Sequence, residues 1–365
     1  MSEPTTIASL LAKTKTFLAG RQIASAQLDA QVLLAHVLGV DRMSLFMQSD
    51  RPLSETEIAQ YRDLVVRRGK GEPVAYLVGS RGFWTLDLKV DSRVLIPRPE
   101  TERIVEAVLE FVGNAAEERE WKVVDVGTGS GALAVALASE LDAATVVALD
   151  ISQDALDLAT ENAVLADVKS RFHAIRGNLL EPLVRKGSKA DVIVSNPPYI
   201  PESDRDSLMR DVRDFEPALA LFSGGDGLGL IRTLIPQAAQ TLQPEGLFAM
   251  EFGMGQHDTI LQLAQKHFAK AAILRDLYRV PRVLLASHEF DVTLIVQSLE
   301  ANLGPGTRTD PDETPLRFDT GAGKPAIAMP AAVLPEGATF AEQQRAAAWQ
   351  QVQEEQLPVI DLDDL

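Results

Sequence analysis

Lys122-Val123-Val124-Asp125-Val126-Gly127-Thr128-Gly129-Ser130-Gly131-Ala132-Leu133-Ala134-Val135-Ala136-Leu137-Ala138 passes from a short apolar strand through a glycine turn into a helix. Strand, glycine-rich turn and helix make the first unit of a doubly wound α/β sheet, so this stretch sets the expected fold class. Glycine lacks a Cβ, and the backbone of such a turn can therefore approach a ligand closely. The spacing is G-x-G-x-G rather than G-x-G-x-x-G, and no Lys-Ser/Thr follows. Neither a pyrophosphate nor a nucleoside triphosphate is favoured. A second strand, Thr145 to Leu149, ends at Asp150. A carboxylate at that strand tip can accept both hydroxyls of a ribose, or it can cap the helix that starts near Gln153.

Further downstream the pattern continues with a helix over Asp154–Ala166 and a third strand over Arg171–Arg176. Asn178 follows that strand, where it can reach a base edge or simply make a turn. Asp191-Val192-Ile193-Val194-Ser195 then reads as a strand buried on both faces, and it runs into Asn196-Pro197-Pro198-Tyr199. Each proline fixes φ near −65° and removes an N–H, and the second also restricts the first. A stiff corner results, carrying carbonyl oxygens that no sheet partner claims, with an amide before it and a phenol after. Such acceptors suit a substrate nitrogen that is held by its hydrogens. An ordinary proline-rich turn has the same letters.

The segment to about Pro217 is expected to be a flap or to contain a short helix, because it is long for a structureless connection. A helix over Leu230–Leu242, a strand over Gly246–Gly253, a helix over His257–Phe268 and strands near Ala272–Asp276 and Arg282–Ala286 complete the sheet. The apolar run Phe290–Val296 has no place in that topology.

Upstream, residues 1–70 are expected to form a small helical domain. Its second helix stops at Gly39, and its third begins at Ser54 with Glu57 three residues on. Residues 71–99 are expected to be a linker with a hairpin, containing a strand over Phe83–Val90. Pro99-Glu100-Thr101-Glu102 opens a helix that runs to about Val112, with acids in its first turn. Arg98 stands between two prolines on what is expected to be a rigid loop. Residues 100–300 make the main domain. From Ala301 the chain turns to Pro, Gly, Thr and acids, and seven prolines in residues 301–365 predict a disordered tail, with a helix possible in its composition over 340–357.

The 365 residues contain no cysteine, which excludes disulfides and thiolate metal sites and fits a reducing, cytoplasmic location. Five scattered histidines suggest no metal site. No apolar run reaches membrane-span length. The net charge is −17, of which −7 falls in residues 301–365, so the rest is acidic too. That balance weighs against a nucleic-acid partner, whose phosphates require clustered Lys and Arg.

The glycine loop, the acid after the second strand and N-P-P-Y after the fourth together resemble class I methyltransferases that use S-adenosylmethionine. Within that class the chain resembles the bacterial release-factor glutamine N5-methyltransferases. Three features carry the closer likeness: the helical N-terminal domain, Gly71-x-Pro73-x-x-Tyr76-Leu77-x-Gly79, and Ile96-Pro97-Arg98-Pro99-Glu100-Thr101-Glu102. The resemblance covers roughly residues 5–286. It implies a seven-stranded Rossmann-like sheet, a substrate-recognising N-terminal domain, and methylation of the glutamine in the Gly-Gly-Gln motif of peptide chain release factors.

It also implies that Gly127, Thr128, Gly129, Ser130 and Gly131 surround the methionine part of the cofactor. Asp150 would hold the ribose, Asn178 and Leu179 would lie by the adenine, and Asn196 would border both cofactor and substrate. Asn196, Pro197, Pro198 and Tyr199 would grip the substrate amide, with catalysis carried by Asn196, Pro197 and Tyr199. Three departures stand out. The family pattern has Asp followed often by an aromatic residue at Asn178-Leu179, a Glu at Gly82, and no counterpart to the tail. Other functions sharing the corner are amino methylation of adenine N6 or guanine N2 in nucleic acids and glutamine methylation of a ribosomal protein. A non-catalytic binding protein is a third class.

Overall fold

A computed structural model describes residues 5–115 and 119–301. The expected tail, with its 340–357 helix, lies outside the described residues. In chain order the first elements are α1 (Ile7–Gly20), α2 (Ala26–Leu38), α3 (Arg42–Met47), α4 (Glu55–Gly69), α5 (Val74–Val78), β1 (Ser80–Phe83), β2 (Leu86–Lys89) and α6 (Glu102–Gly113). Next come β3 (Trp121–Val126), α7 (Ala132–Glu140), β4 (Ala144–Asp150), α8 (Gln153–Leu165), β5 (Phe172–Arg176), α9 (Glu181–Lys186) and β6 (Ala190–Ser195). The remainder are α10 (Arg210–Phe215), α11 (Ala218–Leu221), α12 (Gly229–Thr241), β7 (Leu242–Glu251), α13 (His257–Ala264), β8 (Lys270–Arg275), β9 (Pro281–Ser287) and α14 (Thr293–Ala301).

Seven strands form one sheet in the order β5-β4-β3-β6-β7-β9-β8. The pairs from β5 across to β7 are parallel, whereas β9 runs antiparallel to both β7 and β8. All six β6 residues are buried, as are four consecutive β3 residues, Val123 to Val126. A central parallel strand is covered on both faces, which is why these sequences read as unbroken apolar runs rather than as alternation. One apolar layer packs α6, α7, α8 and α14 against the sheet through Val105, Val108, Leu133, Leu137, Ala159 and Ile295. The opposite layer is built on α12 and α13 through Ile231, Ile235 and Ile260.

Strand order reverses between β3 and β6. The chain moves from β3 outward to β4 and β5, then returns to the other side of β3. In open α/β sheets such a reversal leaves a crevice beyond the carboxyl ends of the two strands.

The described residues divide into two compact units, the first running up to Arg81 with Arg210–Phe215, the second comprising Gly82–Met209 and the described residues from Glu216 to Ala301. In the first unit, α1, α2 and α4 close on Leu18, Leu33, Leu34, Tyr61 and Val65. Ser54 and Glu57 form a reciprocal capping box at the start of α4, and Gly39 ends α2 at φ +63°. Arg68 is buried in this unit, yet its charge is met on several sides. Its Nε donates to Asp29 Oδ2 (2.7 Å), and its Nη1 reaches the Gly71 and Glu72 carbonyls and Asp211 of α10 (3.6 Å). A buried guanidinium is tolerated only with this kind of pairing.

Several expectations need correction. The strand expected over Phe83–Val90 is two short strands folded into a hairpin, because Trp84 takes a positive φ of 55° and turns the chain. The stretch leading to it contains a one-and-a-half-turn helix, α5, ended by Gly79 at φ +78°. The segment to Pro217 agrees with the short-helix expectation: it holds a 3-10 turn over Glu202–Ser207 and the short helix α10, with α11 following. The unplaced run Phe290–Val296 enters α14, and Phe290 packs edge-on against Phe111 at 4.9 Å.

Candidate active site

Two turns meet at the reversal point. Val126 pairs with Ser195 across β3 and β6, so the next residues, Gly127 and Asn196, leave the sheet side by side on strands about 4.8 Å apart. Ser195 Oγ donates to the Val126 carbonyl (2.7 Å) and ties the two ends together. On the other side of β3, Val126 pairs with Leu149, which brings Asp150 into the same row. The glycine turn, the acid and the proline corner therefore share one edge of the crevice.

The glycine turn is held by hydrogen bonds that its sequence makes available. Gly127, Gly129 and Gly131 all have positive φ, at 72°, 55° and 81°. A Cβ at Gly131 would lie 3.0 Å from the Ala159 Cβ, so this glycine lets α7 and α8 close together. At Gly127 and Gly129 an added Cβ would meet no atom within 4 Å, which leaves open space along that side of the turn. Gly129 N–H donates to Asp150 Oδ2 (3.0 Å), and Ser152 N–H donates to Asp150 Oδ1 (2.9 Å). The α8 cap is Ser152 rather than Asp150, because the Ser152 hydroxyl accepts from Ala155 N–H. Thr128 Oγ1 donates to Asp125 Oδ2 (2.7 Å), and Asn162 Nδ2 donates to the Ser130 carbonyl (2.8 Å).

Asn178 lies beyond β5, two strands from the glycine turn, since Asp150 pairs with Arg176. Its side chain is exposed, and Nδ2 donates to Glu181 Oε1 (2.8 Å). Leu179 is half-buried at φ +48°.

At the proline corner, Asn196 and Tyr199 are both fixed through one carboxylate. Asn196 Nδ2 donates to Thr101 Oγ1 (3.0 Å), and Thr101 Oγ1 lies 2.5 Å from Glu251 Oε2. Tyr199 donates its phenol to Glu251 Oε1 (3.1 Å). Among the described residues no hydrogen bond is made to the Asn196 Oδ1 or Pro197 carbonyl oxygen, so both remain as acceptors. The Tyr199 carbonyl accepts from Gln256 Nε2 (3.0 Å), while Gln256 Oε1 accepts from Gly253 N–H (2.9 Å). Gly227 lies so close that a Cβ there would sit 2.2 Å from the Tyr199 oxygen.

The segment Ile96–Glu102 is held in place by three acids, of which Glu251 also holds the corner. Glu216, buried, ion-pairs with Arg98 and accepts from Ile96 N–H (3.3 Å). Glu251 holds Thr101, and Glu102 accepts from Trp84 N–H (2.8 Å). Arg98 is thus a structural tie between two loops, and Thr101 is the residue of this segment that touches Asn196.

Burial governs the electrostatics. It raises the Asp125 carboxyl to about 7, against the hydrogen bonds from Thr128 and Ala134, and Asp125 Oδ1 is buried without a partner. Burial also raises Asp150, partly offset by its backbone donors. Glu251 is raised by burial too, with Thr101 and the nearby Arg282 pulling the other way. The Tyr199 phenol is pushed up, first by burial and then by the Glu251 charge, so it stays protonated and remains a donor. Among the described residues no cluster of His, Cys, Asp and Glu could hold a metal ion.

The residues along β3 and β4 fit a nucleoside with an attached amino-acid chain. A turn with open space at two glycines can wrap the chain, and Asp150 has lone pairs left for hydroxyls. Thr101, Glu251, Gln256, Gly227 and Asn162 were not singled out from the sequence as site residues. One signal existed for Glu251, an acid closing the apolar run Leu247–Met250. Thr101 sat unremarked inside Pro97–Glu102, and nothing local marks Asn162.

Comparison with known proteins adds an independent line. The PrmC N-terminal domain family matches residues 9–79, and the ribosomal protein L11 methyltransferase (PrmA) family matches residues 102–197. The chain is 42% identical over 256 residues to the release factor glutamine methyltransferase of Geobacter sulfurreducens, covering 70% of this chain and 87% of that one. It is 40% identical over 261 residues to the protein of the same name from Koribacter versatilis, covering 72% and 91%. Among solved structures it is similar to the 16S rRNA N2 G1207 methyltransferase of T. Thermophilus in complex with AdoMet and guanosine. That match has 20% identity, a TM-score of 0.41, and coverage of 57% of this chain and 49% of that one.

Proposed function

The chain belongs to the release factor glutamine methyltransferase family, and on that premise we propose that the corner Asn196-Pro197-Pro198-Tyr199 methylates the amide nitrogen of a glutamine side chain. The enzyme is an S-adenosylmethionine-dependent methyltransferase acting on release factor glutamine. We infer that the target is N5 of the glutamine in the Gly-Gly-Gln motif, that the reaction takes place in the cytoplasm, and that no nucleic acid is bound directly. Residues 1–70 would recognise the protein substrate, 71–99 would link, and 100–300 would hold both substrates. Among the described residues no helix is long and apolar enough to cross a membrane.

When bound, S-adenosylmethionine supplies an electrophilic methyl group on a sulfonium sulfur. Gly127, Thr128, Gly129, Ser130 and Gly131 would hold its methionine part, Asp150 its ribose, and Asn178 with Leu179 its adenine. The remaining difficulty lies with the nucleophile, because an amide nitrogen has its lone pair delocalised into the carbonyl. Asn196 Oδ1 and the Pro197 carbonyl accept the two amide hydrogens. That aims the nitrogen and stabilises the positive charge that develops on NH₂ as the new bond forms. Tyr199 lies against the flat face of the amide. No base is required as the methyl arrives, since the nitrogen-bound proton is strongly acidic afterwards and leaves to solvent.

One observation carries this reading: two unsatisfied acceptors, Asn196 Oδ1 and the Pro197 carbonyl, stand beside the glycine turn at the sheet's reversal point. Incubation with labelled S-adenosylmethionine and a purified release factor tests it. Mass spectrometry is expected to find one methyl group on the glutamine of Gly-Gly-Gln, and a methyl elsewhere would refute it.

A further inference from the structure

An asparagine side chain can grip an NH₂ group only if its oxygen, and not its nitrogen, faces the substrate. Oδ1 and Nδ2 have the same shape and exchange places by a half-turn about χ2, so the surroundings must choose between them. The surroundings of Asn196 make that choice through two groups. Thr101 Oγ1 has a single hydrogen, and Glu251 Oε2 lies 2.5 Å away. While Glu251 is ionised its carboxylate only accepts, and the Thr101 hydrogen is then committed to it. What Thr101 offers Asn196, 3.0 Å away, is therefore a lone pair, and the asparagine must present Nδ2–H to it. Oδ1 is left pointing away from Thr101. Both Thr101 and Glu251 are buried, at 4% and 2% exposure, so water does not compete for these bonds.

We propose that Thr101 and Glu251 are positioning residues that fix the polarity of the Asn196 amide, so that an acceptor faces the incoming substrate nitrogen. The proposal rests on Asn196 Oδ1 being the substrate acceptor. Glu251 performs a parallel service for Tyr199, whose phenol takes its second oxygen. If Glu251 is protonated, the chain of donors can run in reverse. The carboxylic acid donates to Thr101 Oγ1, Thr101 donates to Asn196 Oδ1, and Nδ2 faces the substrate, where it repels an NH₂ group. The groups that face Glu251 are Arg282 of β9, Tyr199 of the corner, and Thr101 and Glu100 of the turn before α6. Burial raises the Glu251 carboxyl most, Thr101, Arg282 and Tyr199 favour its ionised form, and Glu100 opposes it.

The test compares Thr101→Val, Thr101→Ser and Glu251→Gln with the intact enzyme and with Asn196→Ala, using the full chain, S-adenosylmethionine and a release factor. Thr101→Val is close in shape but cannot relay the bond, and its kcat is expected to fall about tenfold to a hundredfold, the scale of a hydrogen bond to a charged group. KM for the release factor and Kd for S-adenosylmethionine should stay within about threefold, because neither is bound by Thr101. Thr101→Ser keeps the hydroxyl and should stay within about threefold of the intact enzyme in kcat. The kcat of the intact enzyme should also fall as pH drops through the Glu251 titration, and Glu251→Gln should lack that limb.

If Thr101→Val keeps full kcat while Asn196→Ala is inactive, the positioning role is wrong and the Asn196 grip stands. Equal losses in Thr101→Ser and Thr101→Val would also overturn it, since the hydroxyl would then be irrelevant. Should Thr101→Val fail to fold, the Thr101→Ser rescue and the pH limb in Glu251→Gln decide: an unchanged limb there contradicts the proposal. Full activity in Asn196→Ala would instead remove the reading on which the proposal rests.

Discussion

Asp125 bears the clearest residue-level signature in the molecule. It is buried at the end of β3, and two donors reach only one of its two oxygens. Burial raises its carboxyl to about 7, with a smaller push from Asp150. The unfolded chain has this group near 3.9, so the folded protein binds the proton more tightly. Stability from this site is then fully present below about pH 4 and is lost as pH rises through about 7. Replacing Asp125 with Asn, which cannot ionise, should flatten that slope. Urea midpoints between about pH 5 and 8 are expected to fall in the intact protein and to hold steadier in Asp125→Asn. Parallel curves for the two proteins would rule this out. Asp125 belongs to the quoted strand, yet its role was invisible there, because a strand sequence does not say which carboxylate oxygen ends up without a donor.

Among elements, the corner after β6 depends on a glycine from a different loop. Gly227 has φ +74°, and the space its Cβ would need is taken by the Tyr199 carbonyl at 2.2 Å. Gly227→Ala must therefore move the backbone of the corner as well as strain its own. The expected result is a loss of stability of about 1–3 kcal/mol and a lower kcat, with S-adenosylmethionine affinity little changed, because the glycine turn is on another strand. Thermal melting and steady-state rates check this, and wild-type behaviour in both would contradict it. The glycines of Phe222–Gly229 mark a turn, but no local signal says what that turn packs on.

The same division holds elsewhere. The β3 turn, the β4 acid and the buried β6 run were legible because strand burial and glycine punctuation are local signals. The capping box at Ser54 and the stop at Gly39 were legible for the same reason. A hairpin within residues 71–99 was legible, but its turn at Trp84 was not, since a tryptophan with positive φ breaks the usual rule and its N–H is held by Glu102, eighteen residues on. Thr101 and Glu251 were also missed as site residues. Their partnership is made by β7 lying next to β6, with Met250 opposite Ser195, and such adjacency is a property of sheet order.

For the molecule as a whole, chemistry depends on strand order more than on any one motif. The glycine turn and the proline corner are separated by Ala132–Ser195 in sequence, and only the reversal between β3 and β6 makes them neighbours. With that reversal, the residues assigned to the methyl donor and those assigned to the amide share one crevice. They should then be separable in function: removing the grip should stop transfer without releasing the donor. Rapid-mixing methyl transfer to a release factor, with S-adenosylmethionine affinity measured alongside, reads both in Asn196→Ala. The transfer rate should fall at least about a hundredfold, the scale of one lost preorganised contact, while affinity stays within severalfold. Transfer at the wild-type rate in that variant would contradict the amide grip and, with it, the assignment of this crevice as the active site.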